Sequence, residues 1–210
     1  MYRILLIDDH AVLRRGTREF LQALPEVQTI GEAASAQAAL TQLRQATWDL
    51  VLMDLSLPDM HGLQLFTHIR EALPQQKVLV FSMYPEEQYG VRLLRNGASG
   101  YLSKESDPSE LLVAVRKIMG GGRYVSPSLG ELLLQTLDVV TEGLPHERLS
   151  PREFEIFLLI AQGVGLTQMA TQLHLSKKTV STHRAHVLEK MEMHHNAELM
   201  RYAFEHHLIS

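Results

Sequence analysis

Four short apolar runs in this chain each stop at a residue suited to phosphate or metal chemistry. Leu50-Val51-Leu52-Met53 stops at Asp54, and Ile4-Leu5-Leu6-Ile7 runs into Asp8-Asp9. Val78-Leu79-Val80-Phe81 stops at Ser82, and Gly100-Tyr101-Leu102-Ser103 stops at Lys104. Runs this short and this apolar read as strands buried on both faces, as in a parallel sheet covered by helices. Between them the period turns helical. Strands are expected near 2–8, 27–33, 49–54, 77–82 and 99–102, and amphipathic helices near 11–24, 35–46, 62–72, 86–96 and 107–119. Five strand–helix units with short connections imply an α/β, five-stranded parallel, doubly wound domain.

Ligands of such sheets bind at the carboxyl ends of the strands. The five residues that end the four runs should therefore meet: three carboxylates, a hydroxyl and an ammonium. Clustered carboxylates repel one another unless a cation joins them. Mg²⁺ prefers carboxylate oxygen and water and often bridges to phosphate. One carboxylate can then attack a phosphoryl group, while Lys104 and Ser82 supply partners for the equatorial oxygens.

The last expected helix of this domain starts at Asp107 with Pro108 at its first position and Glu110 at its third, and Gly120-Gly121-Gly122 stops it. Residues 120–147 read as a linker. Arg123 to Pro127 is extended or turn-like, residues 128–140 form a short amphipathic helix through Leu129, Leu132, Leu133 and Leu137, and 141–147 are flexible. Beyond 148 the pattern is all helical. Ser150-Pro151-Arg152-Glu153 is a capping box opening a helix that buries Phe154, Phe157, Leu158 and Ala161 and ends at Gly163 and Gly165. A short helix near 166–173 packs through Met169, Ala170 and Leu173. Ser176 caps a third helix near 177–191, with Val180, Val187, Leu188 and Met191 apolar. The fourth runs near 196–207, with Leu199, Met200, Ala203 and Phe204 inward.

Two short helices joined by a tight turn, the second one basic, point to a helix-turn-helix. Lys177, Lys178, Arg184 and Lys190 against Glu189 give the third helix a charge of +3 between 177 and 190. Its polar face adds Ser181, Thr182, His183 and His186, suited to the major groove. The whole chain carries −4, but residues 148–210 hold 7 Lys+Arg against 6 Asp+Glu and 7 of the 11 histidines. DNA affinity per subunit should therefore be modest. Adjacent histidines at His194-His195 and His206-His207 point apart and are not expected to hold a metal. Met53, Met83 and Met119 are expected in the core. The chain has no cysteine, which excludes disulfides and thiolate metal sites. No apolar run approaches the roughly 20 residues of a membrane span, and the chain opens directly on a strand, so it reads as cytoplasmic with no membrane partner.

These motifs resemble two known families. Ile7-Asp8-Asp9-His10, Met53 to Gly62, Phe81-Ser82 and Gly97 to Lys104 resemble a response-regulator receiver domain of flavodoxin-like fold. Leu149 to Phe157, Ile160 to Gly163, Met169 to His183 and Leu188 to Met191 resemble a LuxR/NarL-type helix-turn-helix. The resemblance implies a receiver over 1–119, a linker over 120–147 and a four-helix DNA-binding domain over 148–210. It implies Asp54 as phosphoacceptor, and Mg²⁺ held by Asp8, Asp9, Asp54 and the Ser56 carbonyl. Ser82 and Tyr101 become the switch pair and Lys104 the phosphate-sensing lysine, with Ser56 and Tyr84 tuning the phosphoaspartate lifetime. DNA contacts fall on Thr167, Gln168, Lys177, Lys178, Ser181, Thr182, His183, Arg184 and His186, and dimerisation on Leu199, Met200 and Phe204.

The function implied is a phosphorylation-dependent transcription regulator of a two-component system. It would receive its phosphoryl group from a histidine kinase and act on paired half-sites of double-stranded DNA as a homodimer. Two alternatives belong to other classes. One is a DNA-binding regulator whose activity is independent of phosphorylation. The other is a phosphatase-like enzyme, which the chain disfavours because no insertion above the sheet is long enough to build a substrate cap.

Overall fold

A computed structural model of the chain describes residues 1–137, 144–173, 175–206 and 208–209. These divide into two compact units, Met1–Leu133 and Leu134–Ser210.

The first unit alternates strand and helix: β1 (Tyr2–Ile7), α1 (Ala11–Gln22), β2 (Val27–Ala33), α2 (Ala36–Gln45), β3 (Leu50–Met53), α3 (Gly62–Ala72), β4 (Val78–Ser82), α4 (Glu86–Arg95), β5 (Gly100–Ser103) and α5 (Pro108–Met119). Each expected strand and helix is present, with ends shifted by one or two residues. All neighbours in the sheet are parallel, in the order β2-β1-β3-β4-β5. Leu50, Val51, Leu52 and Met53 are fully buried, as a central strand covered on both faces must be. Ile4, Leu6, Leu50, Leu52, Leu79 and Leu102 share one core with Leu111, Val115 and Ile118 of α5.

The winding reverses between β1 and β3, which places the crevice of the fold at their carboxyl ends. Their register pairs Ile7 with Met53, so the next residues, Asp8 and Asp54, emerge side by side. The Asp54 amide donates to the Ile7 carbonyl at 2.9 Å and closes that pairing. The loop after Asp54 is held from two sides. Asp59 accepts from the Ala36 and Gln37 amides, capping α2 from outside it, and His61 accepts from the Leu63 amide at the start of α3.

A helix α6 (Pro127–Leu137) follows α5. It overlaps the helix expected over 128–140, of which 138–140 lie outside the described residues. Tyr124 forms a parallel bridge to Gly100 and is buried in the core, so the segment expected to be extended runs along the edge of β5. Of the stretch expected to be flexible, 141–143 lie outside the described residues, but Pro145–Arg148 form a 3-10 turn with His146 buried. Its Nδ1 lies 2.8 Å from the Tyr202 hydroxyl.

The second unit holds α7 (Pro151–Ala161), α8 (Leu166–Gln172), α9 (Lys177–Lys190) and α10 (Asn196–Glu205). The capping box at Ser150 and Glu153 is present. Gly163 has φ +76°, a conformation open to glycine, where α7 ends. Phe154, Phe157, Val180, Val187, Leu199 and Ala203 are fully buried.

Three expectations about packing are corrected. Met83 is 53% exposed rather than in the core, because it lies past the end of β4. Met200 and Phe204 do not face inward; they are 41% and 67% exposed. Residues 199 and 203 form the inward stripe of α10, with Tyr202 beside them tied to His146. Positions 200 and 204 are four apart and form their own stripe about 100° further round the helix.

Gly62 fixes the approach of α3 to the crevice. A Cβ there would lie 2.4 Å from Leu55 Cα and 2.9 Å from the Asp54 carbonyl oxygen, and neither backbone atom can yield easily. Gly62→Ala is expected to destabilise the chain by roughly 1–3 kcal/mol through overpacking, read as a lower urea midpoint at unchanged slope. An unchanged midpoint would mean that the loop after Asp54 is pliant.

Candidate functional site

The crevice assembles the residues that end the four strands. Asp8 is 1% exposed and Asp54 2% exposed. Lys104 is the third member of this buried group. Its Nζ lies 2.7 Å from Asp8 Oδ2 and 2.7 Å from Asp54 Oδ2. One ammonium thus holds two carboxylates that would otherwise repel each other in a medium of low dielectric. The other Asp54 oxygen, Oδ1, accepts from the Ser82 hydroxyl at 2.7 Å and from the Ser56 amide at 3.2 Å. Asp8 Oδ1 accepts from the His10 amide at 2.8 Å. Asp9 is more exposed and sits 2.8 Å from His10 Nδ1, so His10 is a helix-start residue paired with the acidic rim.

Asp8, Asp9, Asp54 and His10 bring one ligand atom each within 4.8 Å of one another. Oxygen-rich donors at the mouth of a crevice suit a hard divalent ion that keeps some of its waters. Lys104 already neutralises part of the acidic charge, so such an ion would have to share the carboxylates with it.

Tyr101 is fully buried, and its hydroxyl donates to the Tyr84 carbonyl at 2.7 Å. Burial, with Glu86 and Asp54 nearby, pushes its phenol far above the usual tyrosine range, so it remains a hydrogen-bond donor. Tyr84, Tyr89 and His61 pack as a ring cluster beside it. Ser82 and Tyr101 are thus both directed toward the crevice and its adjoining loop.

The second unit presents its helix-turn-helix through α8 and α9. Thr167, Gln168, Lys177, Lys178, Ser181, Thr182 and His186 are exposed. Arg184 is half-buried and donates to Asn196 Oδ1 at 2.8 Å. His183 differs from the expected polar face: it is half-buried and its Nδ1 is enclosed. Burial and the nearby Arg152 lower its pKa. Glu153 is buried; burial works to raise its pKa, but Lys190 at 2.6 Å and the Ser150 amide and hydroxyl prevail and lower it. Glu153, His183 and His186 also bring ligand atoms within 4.8 Å. The cations Arg152 and Lys190 crowd that group, so it reads as the ion pair that locks α9 onto α7. Sequence reasoning missed this inward role of His183; its spacing from Val180 and Val187 was the available signal.

An acidic crevice at the switch point of a doubly wound parallel sheet, followed by a helix-turn-helix, defines a receiver-type regulator. Residues 4–116 match the response regulator receiver domain and residues 147–203 match the bacterial regulatory proteins, luxR family. The chain belongs to the LuxR-type response regulators of two-component systems. It is 32% identical to the response regulator UvrY of Escherichia coli over 209 residues, which covers 99% of this chain and 96% of that protein. It is 35% identical to the oxygen regulatory protein NreC of Staphylococcus haemolyticus over 214 residues, covering 99% of each. Among solved structures it resembles RcsB from Salmonella enterica serovar Typhimurium, bound to promoter P1flhDC in the presence of phosphomimetic BeF3-. That match has 25% identity and a TM-score of 0.63, covering 96% of this chain and 97% of that one.

Two outcomes follow from these geometries. Lys104→Met leaves Asp8 and Asp54 buried without their cation, so it should cost roughly 3–5 kcal/mol in magnesium-free buffer. Added Mg²⁺ should then raise its Tm more than that of the wild type; equal shifts would mean that the ion does not reach these carboxylates. In the second unit, His183 binds a proton less readily folded than unfolded. Stability is therefore intact above its ordinary value of 6.5 and falls as the pH drops below that value. Glu153, also lowered, adds a second loss below its ordinary 4.5. Urea midpoints between pH 8 and 4 test this, and His183→Asn should flatten the first loss.

Proposed function

We propose that the chain is a phosphorylation-dependent, DNA-binding transcription regulator in which Asp54 accepts a phosphoryl group from the phosphohistidine of a sensor kinase. The observation that carries this reading is the double pairing of Lys104 with Asp8 and Asp54, beside a Ser82 hydroxyl already aimed at Asp54. In-line attack by an Asp54 oxygen forms the new P–O bond and releases the histidine imidazole. Lys104 and Ser82 then hold the equatorial oxygens. Asp8, Asp9, Asp54 and the Ser56 carbonyl would hold Mg²⁺, which supplies charge neutralisation for the transferring group.

The remaining assignments are supported by where residues lie in the chain. Residues 1–119 serve as receiver, 120–147 as linker and 148–210 as the DNA-binding domain. Lys177, Lys178, Ser181, Thr182, Arg184 and His186 on α9, with Thr167 and Gln168 on α8, face double-stranded DNA. His183 contributes by fixing α9 in place. Met200 and Phe204, exposed on α10, are the dimer contacts, and Leu199 supports them from the core. Pairing two subunits on two half-sites compensates for the few base pairs that one small domain reads.

On this reading phosphorylation biases an equilibrium between two arrangements of the Ser82 and Tyr101 loop instead of creating a new fold. A second reading, DNA binding without phosphorylation, is favoured by the polar face of α9, which is exposed on its own unit. Fluoroberyllate with Mg²⁺ distinguishes them. It should tighten promoter DNA binding of the wild type by at least about fivefold, the low end of typical coupling, and leave Asp54→Ala unchanged. Equal binding by both proteins under all conditions selects the phosphorylation-independent regulator. The dimer contact is tested by Phe204→Ala, which should weaken dimerisation on DNA while leaving the unfolding free energy in urea within about 0.5 kcal/mol of the wild type, as for an exposed position.

A further inference from the structure

The first turn of α4 carries a carboxylate that neither the crevice nor the core requires. Glu86 opens α4, only four residues after the switch residue Ser82, and it is 8% exposed. Its Oε2 accepts from the hydroxyls of Ser126 and Ser128, the latter at 2.9 Å. Both serines belong to the chain that enters α6.

Ser126 is used from both sides. Its Oγ accepts from the Leu129 amide at 3.1 Å, and its carbonyl accepts from the Gly130 amide at 2.9 Å. It therefore caps α6 while its own proton goes to Glu86. One carboxylate thus sits at the amino ends of two helices, where negative charge is favoured. Apolar contact reinforces the link. Leu129 is fully buried, and its methyl carbons lie 2.7 and 3.0 Å from where a Cβ on Gly90 would be. A side chain at 90 would force Leu129 to move from its place against α4.

The other end of the same loop is tied to the crevice. Ser82 donates to Asp54, and Tyr101 donates to the Tyr84 carbonyl two residues before Glu86. Residues 83–85 are thus held by the phosphoacceptor pocket on one side and by the start of α6 on the other. We propose that Glu86, Ser126 and Ser128 form a clasp that passes the state of the Asp54 pocket to the helix leading out of the receiver. This rests on the receiver reading for its input. The mechanical link itself stands on the hydrogen bonds alone. Glu86, Ser126 and Ser128 act as positioning residues and touch no reacting atom.

Hydrogen–deuterium exchange on the full chain tests the clasp, with and without fluoroberyllate and Mg²⁺. Glu86→Ala and the double variant Ser126→Ala/Ser128→Ala should raise amide exchange in residues 129–133 by about tenfold, the effect of losing one charge-assisted hydrogen bond. Ser126→Thr, which keeps the hydroxyl, should stay close to the wild type. In the wild type, fluoroberyllate should change exchange both in 83–90 and in 129–133. In the double serine variant it should change 83–90 alone. Unchanged exchange of 129–133 in both clasp variants would overturn the proposal, as would an undiminished fluoroberyllate response there. If fluoroberyllate alters nothing in the wild type, the receiver reading fails, and the basal exchange of the two variants still decides the clasp.

Discussion

The pairing of β1 with β3 governs the chemistry of this molecule. Because Ile7 lies opposite Met53, two aspartates leave the sheet together at its topological reversal, nearly sealed from water. Two carboxylates side by side repel each other, and Lys104, reaching in from the end of β5, lies between them. A buried arrangement of two anions and one cation retains a deficit of positive charge. Such a deficit suits a hard divalent ion. Stability alone does not call for such a site, since an apolar core of equal volume would serve at least as well.

The same crevice is connected to its surroundings by single hydrogen bonds. Ser82 and Tyr101 bind opposite sides of the β4–α4 connection, and the Tyr101 hydroxyl remains a donor because burial holds its proton. Small changes of charge at Asp54 therefore act on a short segment whose far end is fixed by Glu86. The helix-turn-helix shows the complementary arrangement. Its helix α9 is kept in place by the pairing of buried Glu153 with half-exposed Lys190 and by His183, whose Nδ1 is enclosed. The side chains Lys177, Lys178, Ser181 and Thr182 are exposed on its other face.

The repeating units of the receiver and the pocket residues Asp8, Asp9, Asp54, Ser82 and Lys104 were legible in the sequence, because strand-end position is a local property of short apolar runs. The capping box at Ser150 and Glu153 was legible for the same reason. Contacts between residues far apart in the chain were not. Tyr124 in the receiver core, His146 against Tyr202, and Glu86 against Ser126 join segments separated by between 14 and 56 residues, and no periodicity announces such pairs. The error at Met200 and Phe204 has a related cause. An amphipathic helix with more apolar positions than one face can hold has an ambiguous inward side.

The sequence by itself thus determined the fold class, the order of the elements and the identity of the groups at the strand ends, since hydrophobic period and helix caps act over a few residues. Only the tertiary structure decided that one lysine serves two aspartates, that the Tyr101 hydroxyl meets the Tyr84 carbonyl, that His183 is half-buried with its Nδ1 enclosed, and that α6 begins on the first turn of α4. Each of these depends on which side chain reaches a shared point in space, and that is settled by sheet register and helix packing rather than by any local pattern of residues.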